Sequence, residues 1–169
     1  PTVTGLGLKE HFENLAMELL EACRRHYGKR LVSVVLYGSA GRGTHGPDSD
    51  LDVLIVAEAL PRGRLARVEE FVPVEAALGP SLSEMRSCGF STEVSPVLKT
   101  PEEVAAGSPL FLDMTEDARI LYDREGFFAA ALKRLRARLK ALGSRRIWCG
   151  NAWYWDLKPD YKPGEEFEL

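Results

Sequence analysis

Two short runs of apolar and β-branched residues constrain the fold of this chain more than any other feature. Residues 31–37 and residues 50–56 each contain five Leu, Ile or Val residues. Such runs indicate strands that are buried in a sheet. The small residues Gly38 and Ser39 end the first apolar run, and a polar loop leads from them to the second run. The sequence therefore predicts two neighbouring strands near its start, around which the other elements pack.

Apolar periodicity predicts the elements that surround these strands. Helices are predicted over residues 8–27, 63–78 and 127–142, and strands over residues 91–98 and 119–122. Pro73 is expected to kink or split the second helix, and Gly79 with Pro80 to form a turn after it. Pro96 indicates that the strand over residues 91–98 lies at a sheet edge or carries a bulge.

This order of elements predicts an α+β fold, in which a short mixed β-sheet is packed with helices. We expect residues 1–123 to form the core, and residues 124–169 to form a C-terminal helix and an aromatic tail packed on that core. The aromatic residues of the tail favour a packing role, with stacking on a nucleobase as the alternative. The basic residues between positions 133 and 146 favour a solvated face, with binding of RNA or of an acidic partner as the alternative.

Composition and charge exclude several classes of protein. The hydrophobic fraction is 45% and the charged fraction 28%, which is typical of a globular protein and not of a disordered one. The net charge of −3 argues against a surface that binds nucleic acid over its whole extent. No apolar run approaches the roughly 20 residues that a membrane span needs. The three cysteines form no CxxC pair, which predicts a reduced, cytoplasmic setting and argues against structural zinc.

The first chemical motif is the break after residues 31–37. Gly38 has no side chain and Ser39 has a short one, so backbone N–H groups there can approach a phosphate closely. A helical turn beginning at this point would add a favourable dipole. Arg42 follows four residues after Gly38, and it is expected either to reach the phosphates or to form a surface ion pair.

The second motif is a pair of carboxylates at the start of the second strand. Asp50 and Asp52 are two positions apart, so a strand turns both to the same face, while Leu51 turns into the core. Two adjacent carboxylates repel each other unless a cation lies between them. Mg²⁺ or Mn²⁺ fits this arrangement, because hard cations prefer oxygen ligands and complete their shells with water and phosphates.

The two motifs together resemble a known family. Ten residues separate Ser39 from Asp50, and the order strand, Gly-Ser, loop, Asp-Leu-Asp, strand is much rarer than either motif alone. It is similar to the signature of the DNA polymerase beta-like nucleotidyltransferase superfamily, and most similar to the minimal nucleotidyltransferase type. The resemblance is close over residues 31–56 and looser to about residue 99. It implies that Gly38 and Ser39 hold a triphosphate and that Asp50 and Asp52 bind metal.

The resemblance also implies a third carboxylate on a neighbouring strand, which binds metal and deprotonates the acceptor hydroxyl. Glu93 is the candidate, because its neighbours are typical of a strand that follows the intervening helix. Three other acids lie in segments typical of helices or strand ends: Asp113, Asp117 and Asp123. The alternative for Glu93 is an exposed residue of an edge strand. A Glu here departs from the Asp that is commoner in the family.

The expected function is therefore the transfer of a nucleoside monophosphate, from ATP above other nucleoside triphosphates, to an acceptor hydroxyl by two-metal chemistry. The resemblance implies one alternative. Minimal nucleotidyltransferases resemble antitoxins that associate with HEPN-type toxins, and some of these modify their partner. The sequence does not identify the acceptor.

Overall fold

A computed structural model describes residues 7–169 of the chain. Its helices are α1 (Leu8–Tyr27), α2 (Gly38–Arg42), α3 (Arg64–Ser87), α4 (Pro101–Ala105), α5 (Leu110–Asp117) and α6 (Phe127–Leu142). Its strands are β1 (Leu31–Leu36), β2 (Leu51–Ala57), β3 (Val94–Lys99), β4 (Arg119–Asp123), β5 (Arg145–Cys149) and β6 (Ala152–Asp156). Short 3₁₀ turns precede β1 and α6.

Four strands form one mixed sheet with the order β3-β2-β1-β4. Strand β1 is antiparallel to both β2 and β4, and β2 is parallel to β3. The two strands predicted from residues 31–37 and 50–56 are the two central strands, and all but one of their residues are fully buried. Burial on both faces explains why these two strands are nearly continuous apolar runs. The predicted α+β fold with a mixed sheet is confirmed.

The sheet separates two apolar cores, and the alternation of side chains along β2 decides which residues enter each. Leu51, Val53 and Ile55 pack in the core that contains α1 and α3. Leu54 and Val56 pack in the core that contains α5 and α6. Asp52 has the same parity as Leu54 and Val56, so its carboxylate lies on the α5 and α6 face of the sheet.

Helix α3 differs from the prediction, because it continues through both Pro73 and Pro80 instead of ending near residue 78. A proline inside a helix costs about 3 kcal/mol or more. Both prolines are exposed, while Phe71, Val74 and Leu78 are buried on the opposite side. Each of these buried side chains stabilises the helix by about 1.5–3 kcal/mol. Packing in the α1–α3 core therefore keeps the helix continuous across residues that local rules place in a turn.

Strand β3 is an edge strand, as Pro96 predicts. The N–H of Leu51 donates to the carbonyl of Glu93 at 2.8 Å, so odd-numbered residues of this segment turn their backbone groups toward β2. Pro96 has the opposite parity and its missing N–H lies on the free edge, where no ladder bond is lost. On the same edge Arg67 donates to the carbonyl of Leu98 at 3.0 Å.

The last two strands form a hairpin where the sequence predicted only an aromatic tail. Strands β5 and β6 are antiparallel and separate from the main sheet. The indole N–H groups of Trp153 and Trp155 both donate to Oδ1 of Asp113 on α5, at 2.7 and 2.8 Å. These two bonds attach the hairpin to the four-stranded sheet through α5. The division of the chain into a core of residues 1–123 and a C-terminal part of residues 124–169 stays a prediction.

Asp123 fixes the start of α6. Its Oδ1 accepts from the hydroxyl of Ser33 at 2.6 Å and from the N–H of Phe128 at 2.9 Å, and its Oδ2 accepts from the N–H of Ala129 at 2.9 Å. The carboxylate therefore satisfies two N–H groups in the first turn of the helix and joins that turn to β1.

We predict that Asp123→Ala lowers the free energy of unfolding by about 1–2 kcal/mol, the cost of a lost helix cap. Urea denaturation followed by circular dichroism measures this. Asp160→Ala is the matched control, since Asp160 is exposed near the C-terminus. Equal stability of the two variants would contradict a capping role for Asp123.

Candidate active site

The turn after β1 brings the first motif against the second. Gly38 begins helix α2 with a φ of 62°, a conformation that favours glycine. A Cβ atom on Gly38 would lie 2.4 Å from Oδ2 of Asp52, closer than non-bonded atoms approach. The first N–H groups of α2, from Gly38 to Ala40, have no acceptor within the helix and are free to meet an anion. The absent side chain thus allows the turn to approach the carboxylate closely.

Asp50 and Asp52 lie in different environments, and their shared face stays a prediction. Asp50 is exposed just before β2, whereas Asp52 is partly buried as the second residue of the strand. Burial raises the pKa of the Asp52 carboxyl, the charge of Asp50 raises this pKa further, and the charge of Arg42 lowers it. Burial and the neighbouring charge of Asp52 also raise the pKa of Tyr37 to about 12. The pair is a site of excess negative charge that a cation would relieve.

Glu93 is exposed and directly precedes β3, the strand beside this pair. Leu51 is opposite Val94 and Asp52 is opposite Ser95 in the parallel ladder, so the ladder places Glu93 level with Asp50. Both Asp50 and Glu93 line a groove of about 990 Å³ between β3 and α3. The structure therefore puts the third predicted carboxylate on the same edge of the site as Asp50, with Asp52 on the side of Gly38.

The donor set fits a hard cation. Within residues 7–169, no three Asp, Glu, His or Cys side chains are close enough to form a metal-binding group by themselves. Mg²⁺ commonly takes only one or two protein carboxylates and fills its octahedral shell with water and substrate phosphates. Asp50 and Asp52 supply that number of oxygen ligands, next to N–H groups that can hold the phosphates. A metal set of Asp50, Asp52 and Glu93 stays a prediction.

The sequence did not reveal the residues that support α2. Asp117, which is 8% exposed, accepts from Arg146 of the hairpin at 2.7 Å and lies 3.6 Å from the guanidinium of Arg42. Arg42 also lies 4.9 Å from the ring centre of Trp153. A Cβ atom on Gly41 would lie 2.0 Å from the carbonyl of Asp117, so α2 contacts the end of α5 directly. Arg42 therefore forms an ion pair, which was one of the two roles expected for it. The other role, contact with a phosphate, stays a prediction.

The acids that compete with Glu93 have structural partners. Asp113 and Asp117 are four residues apart on α5 and both face the hairpin, while Asp123 caps α6. A sequence signal for this existed, because an acidic pair with helical spacing precedes aromatic residues that alternate at positions 153 and 155.

Comparison with known proteins decides the family. Residues 16–86 match the family model of the nucleotidyltransferase domain. The chain contains a nucleotidyltransferase domain. The matched range includes Gly38, Ser39, Asp50 and Asp52 and ends before Glu93, so the superfamily predicted from the two motifs is confirmed.

This nucleotidyltransferase also has similar relatives. It is 29% identical over 138 residues to a Methanocaldococcus jannaschii protein named "Putative protein adenylyltransferase MJ1305", with 76% of this chain and 84% of that protein covered. Among the residues from 7 onward, no helix is long and apolar enough to cross a membrane.

Solved structures with a similar chain have lower identities. One is a toxin–antitoxin crystal structure with AMP-PNP, with 19% identity, a TM-score of 0.48, and 75% of this chain and 93% of that chain covered. Another is a Sulfolobus solfataricus protein described as a putative nucleotidyltransferase, with 17% identity, a TM-score of 0.39, and 72% and 94% covered. At this level of similarity their binding properties are not transferred to this nucleotidyltransferase.

We predict that Gly38→Ala weakens binding of ATP with Mg²⁺ at least tenfold, because the new methyl group displaces the Asp52 carboxylate and the positive φ strains the turn by about 1–3 kcal/mol. Calorimetric titration measures the binding, and thermal denaturation checks the fold. Gly46→Ala is the control, since only the Ser49 hydroxyl, at 3.9 Å, lies within 4 Å of a Cβ there. Unchanged ATP binding in Gly38→Ala would refute the close contact.

Proposed function

We propose that this nucleotidyltransferase transfers the adenylyl group of ATP to a hydroxyl group of a protein, and that Asp50, Asp52 and Glu93 carry the reaction. The contact between Gly38 and Asp52 is the observation that carries the proposal, since it joins a phosphate-binding turn to a carboxylate. The archaeal relative matches this chain over most of both lengths, and its name supports ATP as the donor and a protein as the acceptor.

The phosphates are assigned to the start of α2. The free N–H groups of Gly38 and Ser39 donate to the β- and γ-phosphate oxygens, and the short side chains leave room for them. Arg42 adds positive charge at the other end of this five-residue helix. Binding here would point the α-phosphate toward Asp52, the carboxylate that touches Gly38.

Asp50 and Asp52 would hold a divalent cation, Mg²⁺ or Mn²⁺, against the α-phosphate. When bound, such a cation neutralises phosphate charge and favours attack at phosphorus. It also offsets the repulsion between the two carboxylates, which the raised pKa of Asp52 reports. Nucleotide and cation binding therefore depend on each other at this site.

Glu93 is assigned the acceptor side. Its carboxylate takes the proton of the acceptor hydroxyl while the acceptor oxygen bonds to the α-phosphorus. The bond between the α-phosphorus and the oxygen bridging to the β-phosphate breaks, and pyrophosphate leaves. The products are an adenylylated hydroxyl and pyrophosphate, so every atom of ATP and acceptor is accounted for.

The groove between β3 and α3 is the route that we assign to the acceptor. Asp50 and Glu93 line one part of it, so a side chain lying in the groove can bring a hydroxyl to the carboxylates. Four cationic and four acidic residues line it: Arg62, Arg64, Arg67, Lys99, Asp50, Glu75, Glu93 and Glu103. The groove is therefore polar and carries both signs of charge.

We predict that wild-type protein, given native lysate and Mg²⁺, transfers label to protein from ATP labelled at the α-phosphate and not at the γ-phosphate. Asp50→Asn and Asp52→Asn should abolish transfer, and Glu93→Gln should lower it about 100-fold, the usual contribution of a general base. Gel autoradiography and mass spectrometry identify the labelled protein.

Asp48→Asn is the matched control for these variants, because Asp48 is an exposed acid of the same loop. It should retain wild-type transfer. Full activity in Asp52→Asn, or label that follows the γ-phosphate, would overturn the proposal. A HEPN-type protein as the main labelled band would support the antitoxin alternative, and label on unrelated proteins would count against it.

A further inference from the structure

The hairpin of β5 and β6 contains all three tryptophans of the chain. Opposite residues in an antiparallel pair share a face, and the register pairs Trp148 with Trp153 and Arg146 with Trp155. These four side chains therefore lie on one face. The bonds from Trp153 and Trp155 to Asp113 turn that face toward α5.

Trp148 is the member of this face that packing does not cover. Its side chain is 53% exposed, and its ring lies 4.9 Å from that of Trp153 with an angle of 54° between them. One side of a large apolar ring is thus supported by the hairpin while the rest meets water. A flat ligand could contact the exposed part of this ring.

Two guanidinium groups lie against the rings of Trp148 and Trp153. The guanidinium of Arg146 lies 5.1 Å from the ring of Trp148 and 5.2 Å from that of Trp153, and Arg42 approaches Trp153 as well. Arg42 and Arg146 both lie against the carboxylate of Asp117, and Asp113 accepts from Trp153 and Trp155, so two carboxylates balance the two guanidinium groups of the cluster. Arg146 donates to Asp117 through Nη1, and its other N–H groups can donate to the anionic chain of a planar ligand that stacks on the exposed indole.

The cluster is continuous with the active site. Arg42 is the last residue of α2, the helix whose first residues are assigned to the phosphates. The same five-residue helix meets Asp52 at Gly38 and Asp117 at Gly41, where an added Cβ would lie 2.4 and 2.0 Å from their oxygens. The path from Asp52 through Arg42 and Trp153 to Trp148 therefore runs along one side of the site, while the groove with Glu93 lies on the β3 side.

We propose that Trp148 is the stacking platform for the nucleobase of the bound nucleoside triphosphate, with Arg42 and Arg146 supplying positive charge beside it. This rests on the proposed function, since it assumes that a nucleotide binds at α2. Stacking needs only a flat ring, so the platform accepts adenine and guanine alike and sets affinity more than base choice.

The test compares ATP with inorganic tripolyphosphate, which has the anionic chain and no base. In calorimetric titration of the full chain with Mg²⁺, Trp148→Ala should weaken ATP binding about tenfold or more and leave tripolyphosphate binding unchanged. Trp148→Phe should restore most of the affinity, because phenylalanine keeps a flat ring. Tyr154→Ala is the matched control, since Tyr154 is 54% exposed on the opposite face of the hairpin.

Intrinsic fluorescence gives a second readout, because every tryptophan signal comes from the hairpin. ATP should quench the emission of wild-type protein, tripolyphosphate should not, and Trp148→Ala should lose most of the quenching. Thermal denaturation of each variant separates loss of binding from loss of folding.

The outcomes distinguish the two proposals. If wild type binds ATP and Trp148→Ala binds it equally well, the platform is refuted and the proposed function stands. If Trp148→Ala retains ATP binding but transfers less label to protein, Trp148 contacts the acceptor and the platform is again refuted. If wild type binds no ATP in the presence of Mg²⁺, the proposed function fails and the platform fails with it.

Discussion

The close approach of Gly38 to Asp52 is the constraint on which the rest of the site depends. The antiparallel pairing of β1 with β2 sets it, because Leu36 is opposite Val53 and the next residues on each strand meet at the end of the sheet. A methyl group at position 38 would overlap the carboxylate at 2.4 Å. Two strands buried on both faces therefore fix the distance between the turn that we propose binds phosphate and the carboxylate that we propose binds metal.

Charge at this end of the sheet is arranged for a ligand more than for stability. Burial and Asp50 both raise the pKa of Asp52, so ionising the pair in the folded protein carries a free-energy cost. The apolar cores on the two sides of the sheet supply the stability that offsets it. A divalent cation with a triphosphate would reverse the balance, because it attracts both carboxylates at once.

Carboxylates outside the pair show why residue type alone does not assign a role. Asp113, Asp117 and Asp123 each have carboxylate oxygens that could bind a metal, and each instead accepts from a donor in a distant part of the chain. Their bonds attach the hairpin and α6 to the sheet and so place Arg146 and the tryptophans beside α2. Glu93 keeps its carboxylate at the groove because it precedes an edge strand with a free side.

Local pattern by itself determined α1, the two central strands and α6, since periodicity and glycine stops act within a few residues, and the spacing from Ser39 to Asp50 was enough to predict the family. Only the tertiary structure decided three other features: the continuity of α3 through Pro73, the hairpin that ends the chain, and the contact of Arg42 with Asp117. Each depends on burial or pairing between residues far apart in sequence, and such contacts outweigh local preferences of a few kcal/mol.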